Sequence, residues 1–96
     1  MPAIVTLEEK KLPPDCLVFK HSTTCPISAR AAGEVKSLET PLTVYWVNVI
    51  EQRPLSNWLA EEYKVRHESP QLLYIKGGAV AQVWNHSQIR KDAVTT

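Results

Sequence analysis

Two apolar runs in this chain lack the alternation of a half-exposed strand. Cys16-Leu17-Val18-Phe19-Lys20 is apolar at successive positions, as a strand covered on both faces must be. Leu42 to Ile50 (LTVYWVNVI) repeats the pattern with β-branched and aromatic residues, which fit a pleated sheet. Both runs predict central, parallel strands. Elsewhere the period changes. Ile27, Ala31, Val35 and Leu38 recur at helical spacing and predict a helix from Pro26 to about Glu39 with those four side chains buried. Leu55, Trp58, Leu59 and Tyr63 do the same for a helix from Pro54 to about Lys64. Gln71–Lys76 and Val80–Trp84 read as strands joined through Gly77-Gly78, a hairpin signal. Leu7 to Leu12 reads as a short helix stopped by Pro13-Pro14, and His86 to Val94 as a final one.

The confident order is β-α-β-α-β-β-α. Strands joined through a helix run parallel with a right-handed crossover, and the hairpin adds an antiparallel edge. The expectation is an α/β fold: a mixed four-stranded sheet, order 2-1-3-4, flanked by helices. Trp46, Trp58 and Trp84 fall on strands or on the helical stripe and are expected in the core.

Composition adds bounds. The 96 residues fit a single domain over 1–96 with one modest core. Formal net charge is +1, so no global field draws the chain to nucleic acid or to a membrane surface. No apolar run approaches the roughly 20 residues that span a bilayer. The N-terminal Met1-Pro2-Ala3-Ile4-Val5 has no basic flank and no signal-peptide core. A cytoplasmic location with reduced thiols is the expectation. Cys16 and Cys25 flank the first strand, too far apart for the roughly 7 Å limit of a disulfide.

The chemistry-bearing stretch is Thr23-Thr24-Cys25-Pro26-Ile27-Ser28, between that strand and its helix. Proline suits the first helical position, so Cys25 falls at the helix N-terminus. Unpaired N–H groups and the helix dipole there favour a thiolate over a thiol. Thr24, Pro26 and Ser28 are the expected thiolate-stabilising residues, with the Ser28 hydroxyl placed to donate to the sulfur. Dithiol oxidoreductases use Cys-x-x-Cys, whose second thiol resolves the mixed disulfide made by the first. Ser28 stands at that position, so the exchange at Cys25 is expected to be monothiol. Cys16, on a buried strand, reads as core packing.

The element order with a cysteine at the first strand–helix turn resembles the thioredoxin fold. Ser69-Pro70, just before Gln71-Leu72-Leu73-Tyr74-Ile75, resembles the cis-proline that in that fold faces the reactive cysteine. Three blocks narrow the resemblance: Thr24-Cys25-Pro26-Ile27-Ser28, Arg53-Pro54-Leu55-Ser56-Asn57 and His67-Glu68-Ser69-Pro70-Gln71. Together they resemble the YtxJ-type monothiol bacilliredoxins, from about Leu17 to Ile89. The resemblance implies a thioredoxin-like fold and removal of bacillithiol from mixed disulfides on cytosolic bacterial proteins. It implies bacillithiol as thiol co-substrate, S-bacillithiolated proteins as partners, and no metal. Ser69, Pro70, His67 and Arg30 are the candidate substrate-binding residues. Bacillithiol carries malate carboxylates, so cations beside Cys25 are wanted. Lys20, His21, Arg30, Arg53 and His67 qualify by chain position, and the sequence does not choose between them.

Two other readings stay open at this stage. His21 and Cys25 have H-x-x-x-C spacing, but four ligands for structural zinc cannot be assembled. A cluster carrier of the monothiol-glutaredoxin kind needs one cysteine per subunit, though its Cys-Gly-Phe-Ser block is absent. A non-enzymatic adaptor binding partners beside Pro70 is the third class.

Overall fold

The computed structural model describes residues 2–94. Its strands are β1 (Ile4–Thr6), β2 (Cys16–His21), β3 (Val44–Asn48), β4 (Gln71–Lys76) and β5 (Ala79–Asn85). Its α-helices are α1 (Pro26–Lys36) and α2 (Arg53–Glu62), and a 3-10 turn spans His86–Gln88. The sheet order is β1-β3-β2-β4-β5. β2 pairs parallel with β3 and antiparallel with β4, and β4 pairs antiparallel with β5. The order 2-1-3-4 is therefore present, with one further strand at the edge.

That strand corrects the sequence reading. β1 pairs parallel with β3, Ile4 opposite Val44, and makes the sheet five-stranded rather than four-stranded. It is three residues long and exposed throughout, so it carries no periodicity. The helix expected over Leu7–Leu12 is absent; Leu7 instead tucks into the core at 3% exposure. The last helix shrinks to the 3-10 turn, and residues 91–93 form a turn.

Two layers explain the apolar runs. On β2, Leu17 and Phe19 face α1 and pack with Val35, Val44, Leu72 and Trp84. Cys16 and Val18 face α2 and pack with Val47, Leu59, Leu73 and Ile75. Both faces are covered, so both parities of the strand are mainly apolar, with Lys20 the buried exception on β2. Trp84 is buried, while Trp46 and Trp58 pack against the two clusters half-buried.

α1 is shorter and rotated relative to its expected face. It buries Ser28, Ala31, Ala32 and Val35, while Ile27 is 51% exposed. It stops at Ser37, whose hydroxyl and N–H both donate to the Glu34 carbonyl. Leu38 stays buried beyond the helix end. At the hairpin, Gly77 (φ 62°) and Gly78 (φ 81°) take left-handed conformations, the pair a tight two-residue turn requires.

Candidate active site

Cys25 is the N-cap of α1, with extended backbone (φ −109°, ψ 119°) and Pro26 at the first helical position. It is half-buried. An N-cap side chain is where helices normally place an oxygen that accepts from the N2 or N3 N–H. Here a sulfur stands at that position, and those N–H groups belong to Ile27 and Ser28. Proline at N1 has none to offer. The Cys25 N–H bonds Ser22 O at 3.3 Å and its C=O accepts from Ala29 at 3.1 Å, so the residue's backbone is fixed while its side chain carries no cap bond. The thiol thus sits at the N-terminal end of α1, beside the unpaired N–H groups of its first turn.

Ser28 does something other than expected. Its hydroxyl is fully buried and lies 2.7 Å from His21 Nδ1, while the Ser22 N–H donates to it at 2.8 Å. A hydroxyl has one proton to give. Burial, and Lys36 nearby, hold the His21 pKa below its usual value, with the Ser28 contact opposing them. The Ser28 side chain therefore ties the first turn of α1 to the end of β2, and no hydrogen bond from it to the Cys25 sulfur is formed among the described residues. Removing the hydroxyl in Ser28→Ala should cost about 1 kcal/mol or somewhat more in chemical denaturation. Cys25 should keep its reactivity. Thr24 is exposed and meets only Ser22 Oγ, at 3.3 Å.

His21 also stacks on Phe19 at 5.7 Å and meets Trp46 edge-on at 5.5 Å. Trp46 in turn carries Lys36 Nζ 5.6 Å from its ring centre. His21 is thus held in a packed wall rather than presented to a ligand.

The Ser69-Pro70 bond is cis. Gln71, 1% exposed, donates from Nε2 to Arg66 O and to Asn85 Oδ1, both at 2.9 Å. The His86 N–H donates to Pro70 O at 2.9 Å. Glu68 accepts from Arg66 at 3.5 Å and from His86 at 3.3 Å. The loop before β4 is thereby clamped between β5 and the 3-10 turn. Among the described residues, neither the N–H nor the C=O of Ser69 has a backbone partner. An extended chain lying beside the loop would find both available.

The candidate cations separate in space. Lys20 shares the α2 side of β2 with Cys16 and Val18. It is fully buried, Nζ has no hydrogen-bond partner, and burial pushes its pKa down to about 8. Burial also lowers the His67 pKa, reinforced by Lys20 and Arg53 and opposed by Glu68. His67 Nδ1 lies 3.4 Å from Ser56 Oγ on α2. Arg30 lines an open cavity on the α1 side. Cys16 lies at the start of β2, the end away from Cys25. Its Sγ is 3.7 Å from Pro13 O, and burial pushes its pKa up to about 11, helped by Asp15. It is an inert thiol. Among the described residues no three His, Cys, Asp or Glu side chains gather as a metal site. No helix among them is long and apolar enough to cross a membrane.

The family model for the monothiol bacilliredoxin BrxC matches residues 3–94. The chain belongs to the monothiol bacilliredoxin family. The match reaches beyond the Leu17–Ile89 span of the sequence blocks and takes in β1, so the edge strand lies within the family's domain. Solved structures agree on the fold. A proposed oxidoreductase with a thioredoxin fold aligns with a TM-score of 0.85 at 29% identity, over 95% of this chain and 89% of that one. The Trxlp protein of Edwardsiella tarda aligns at 0.59 and 20% identity, over 78% and 73% of the two chains. Thioredoxin from Aeropyrum pernix aligns at 0.53 and 17%, over 74% and 62%. This bacilliredoxin has the thioredoxin fold, and membership assigns it thiol redox chemistry. His86, which the sequence reading did not single out, meets the loop before β4 only through tertiary contacts, with Pro70 and with Glu68 of the quoted block.

Proposed function

We propose that this bacilliredoxin removes bacillithiol from S-bacillithiolated cytosolic proteins through the Cys25 thiolate. The observation that carries the reading is the pairing at the head of α1. A half-exposed sulfur stands at the N-cap, and a buried serine, engaged with His21 and Ser22, stands where a resolving thiol would be. The thiolate attacks the bacillithiol sulfur of a protein–S–S–bacillithiol disulfide. A disulfide forms between Cys25 and bacillithiol, and the protein thiolate leaves with the electron pair. A second bacillithiol then attacks that disulfide, releasing bacillithiol disulfide and regenerating Cys25. The unpaired backbone groups of Ser69 beside Pro70 suit an extended protein segment. The helix N-terminus, with Pro26 at its first position and Thr24 and Ser28 flanking it, supports the anionic sulfur.

Incubating the protein with a panel of low-molecular-weight disulfides, then weighing it intact and mapping the modified peptide, tests this. One bacillithiol per chain is expected, carried on Cys25. Cys16→Ala should retain that adduct and most of the turnover, since Cys16 is walled off and disfavours its thiolate. An adduct on Cys16, or none from bacillithiol disulfide, removes the proposal.

A further inference from the structure

Across a cavity of about 200 Å³, Ile27, Arg30 and Ala31 of α1 face His86, Ser87 and Ile89. One wall is the opening turns of the helix that Cys25 caps. The other hangs from the loop of Ser69-Pro70, because His86 is bonded through its N–H to Pro70 O and through Nε2 to Glu68. His86 holds a left-handed backbone, φ 50°, a conformation uncommon outside glycine, though histidine is among the residues enriched there. Such positions are held by surrounding structure and concentrate at ligand sites.

We infer that this cavity seats a carboxylate of the low-molecular-weight thiol, with the Arg30 guanidinium as its anchor. The inference rests on the proposed bacillithiol exchange. In that exchange the attacked sulfur belongs to the small thiol, which ends bonded to Cys25. Its body must then be held by this protein, not by the departing one.

The other candidate cations are unavailable to it. Lys20 is buried, His21 is bonded to Ser28, His67 lies toward α2 beside Ser56, and Arg53 opens α2 on the opposite face of the sheet. A planar guanidinium matches a carboxylate with two parallel hydrogen bonds. The local charge tolerates an anion, since Glu68 is flanked by both Arg66 and His86 and does not stand alone. The volume falls below the roughly 300–1,000 Å³ of sites that enclose a whole ligand. It fits one acidic arm, leaving the sugar along the rim near exposed Ile27.

The test is a ratio of two rates of Cys25 capping, one with bacillithiol disulfide and one with uncharged 2-hydroxyethyl disulfide. Arg30→Gln should lower the ratio about tenfold, the worth of one charge-assisted contact, and Arg30→Glu should lower it further. A ratio unchanged in Arg30→Gln and Arg30→Glu, while bacillithiol disulfide still caps Cys25, overturns the cavity assignment and leaves the proposed function standing. If bacillithiol disulfide fails to cap the native protein while 2-hydroxyethyl disulfide succeeds, both fall.

Discussion

Cys25→Ser should abolish turnover of a bacillithiol mixed disulfide, leaving only the uncatalysed rate, without loss of folding. The chemical reason is that a hydroxyl does not attack a disulfide sulfur at useful rates and forms no S–S bond to pass on. The structural reason is that Cys25 is an N-cap, where serine is a better residue than cysteine. Its oxygen can accept from the N–H of Ile27 or Ser28, a bond worth typically about 1 kcal/mol. The dead variant should therefore unfold at the same temperature as the native protein or higher. That combination separates lost chemistry from lost structure. A thiol-release assay with the S-bacillithiolated protein, run beside a thermal melt, reads both. Cys16→Ala is the matched control. Should it prove as inactive as Cys25→Ser while still folded, exchange would involve both sulfurs and the monothiol mechanism would be wrong.

Lys20→Met should stabilise the protein at pH 7 by about 2 kcal/mol. Lys20 is fully buried, its ammonium has no hydrogen-bond partner, and its pKa is lowered from 10.5 to about 8. A buried charge without a partner opposes folding. At about 1.4 kcal/mol per pKa unit the opposition reaches at most roughly 3 kcal/mol, and screening around the group reduces it. Methionine keeps the length and fills the same space without the charge. The pH dependence has a definite sign. Below pH 8 Lys20 is protonated in both the folded and the unfolded chain, and its contribution is constant. Between pH 8 and 10.5 the unfolded chain binds more protons than the folded one, so stability rises with pH through that window. Lys20→Met should lack that rise. The difference between the two denaturation midpoints should shrink from pH 7 to pH 10. A Lys20→Met variant less stable than the native protein at pH 7 would mean that the ammonium is solvated or paired inside the fold.

How much of this was legible follows from the range of each interaction. β2 and β3 were visible because both faces of each are covered, and a doubly covered strand writes itself as an unbroken apolar run. The N-terminus of α1 was visible because Pro26 marks it locally. β1 was not, because three exposed residues on a sheet edge are stabilised by backbone pairing to β3 and leave no side-chain pattern. The face of α1 was misjudged at Ile27 because helical spacing defines a stripe only to within one neighbouring position. The buried Ser28, held by His21 and Ser22, sets the rotation. The helix expected after His86 failed for a related reason. That segment is shaped by the bond of His86 to Pro70 and its ion pair with Glu68, not by its own periodicity.

By itself, then, the sequence determined the order from β2 through α1, β3, α2 and β4 to β5, a cysteine at the head of α1, the lack of a thiol at position 28 and the proline before β4, since each is written in adjacent residues. Only the tertiary structure decided what Ser28 bonds, which cation is buried and which lines a cavity, and that Arg30 and His86 share one. Those residues lie far apart in the chain, and the sheet register, fixed by packing on both faces, is what brings them within reach.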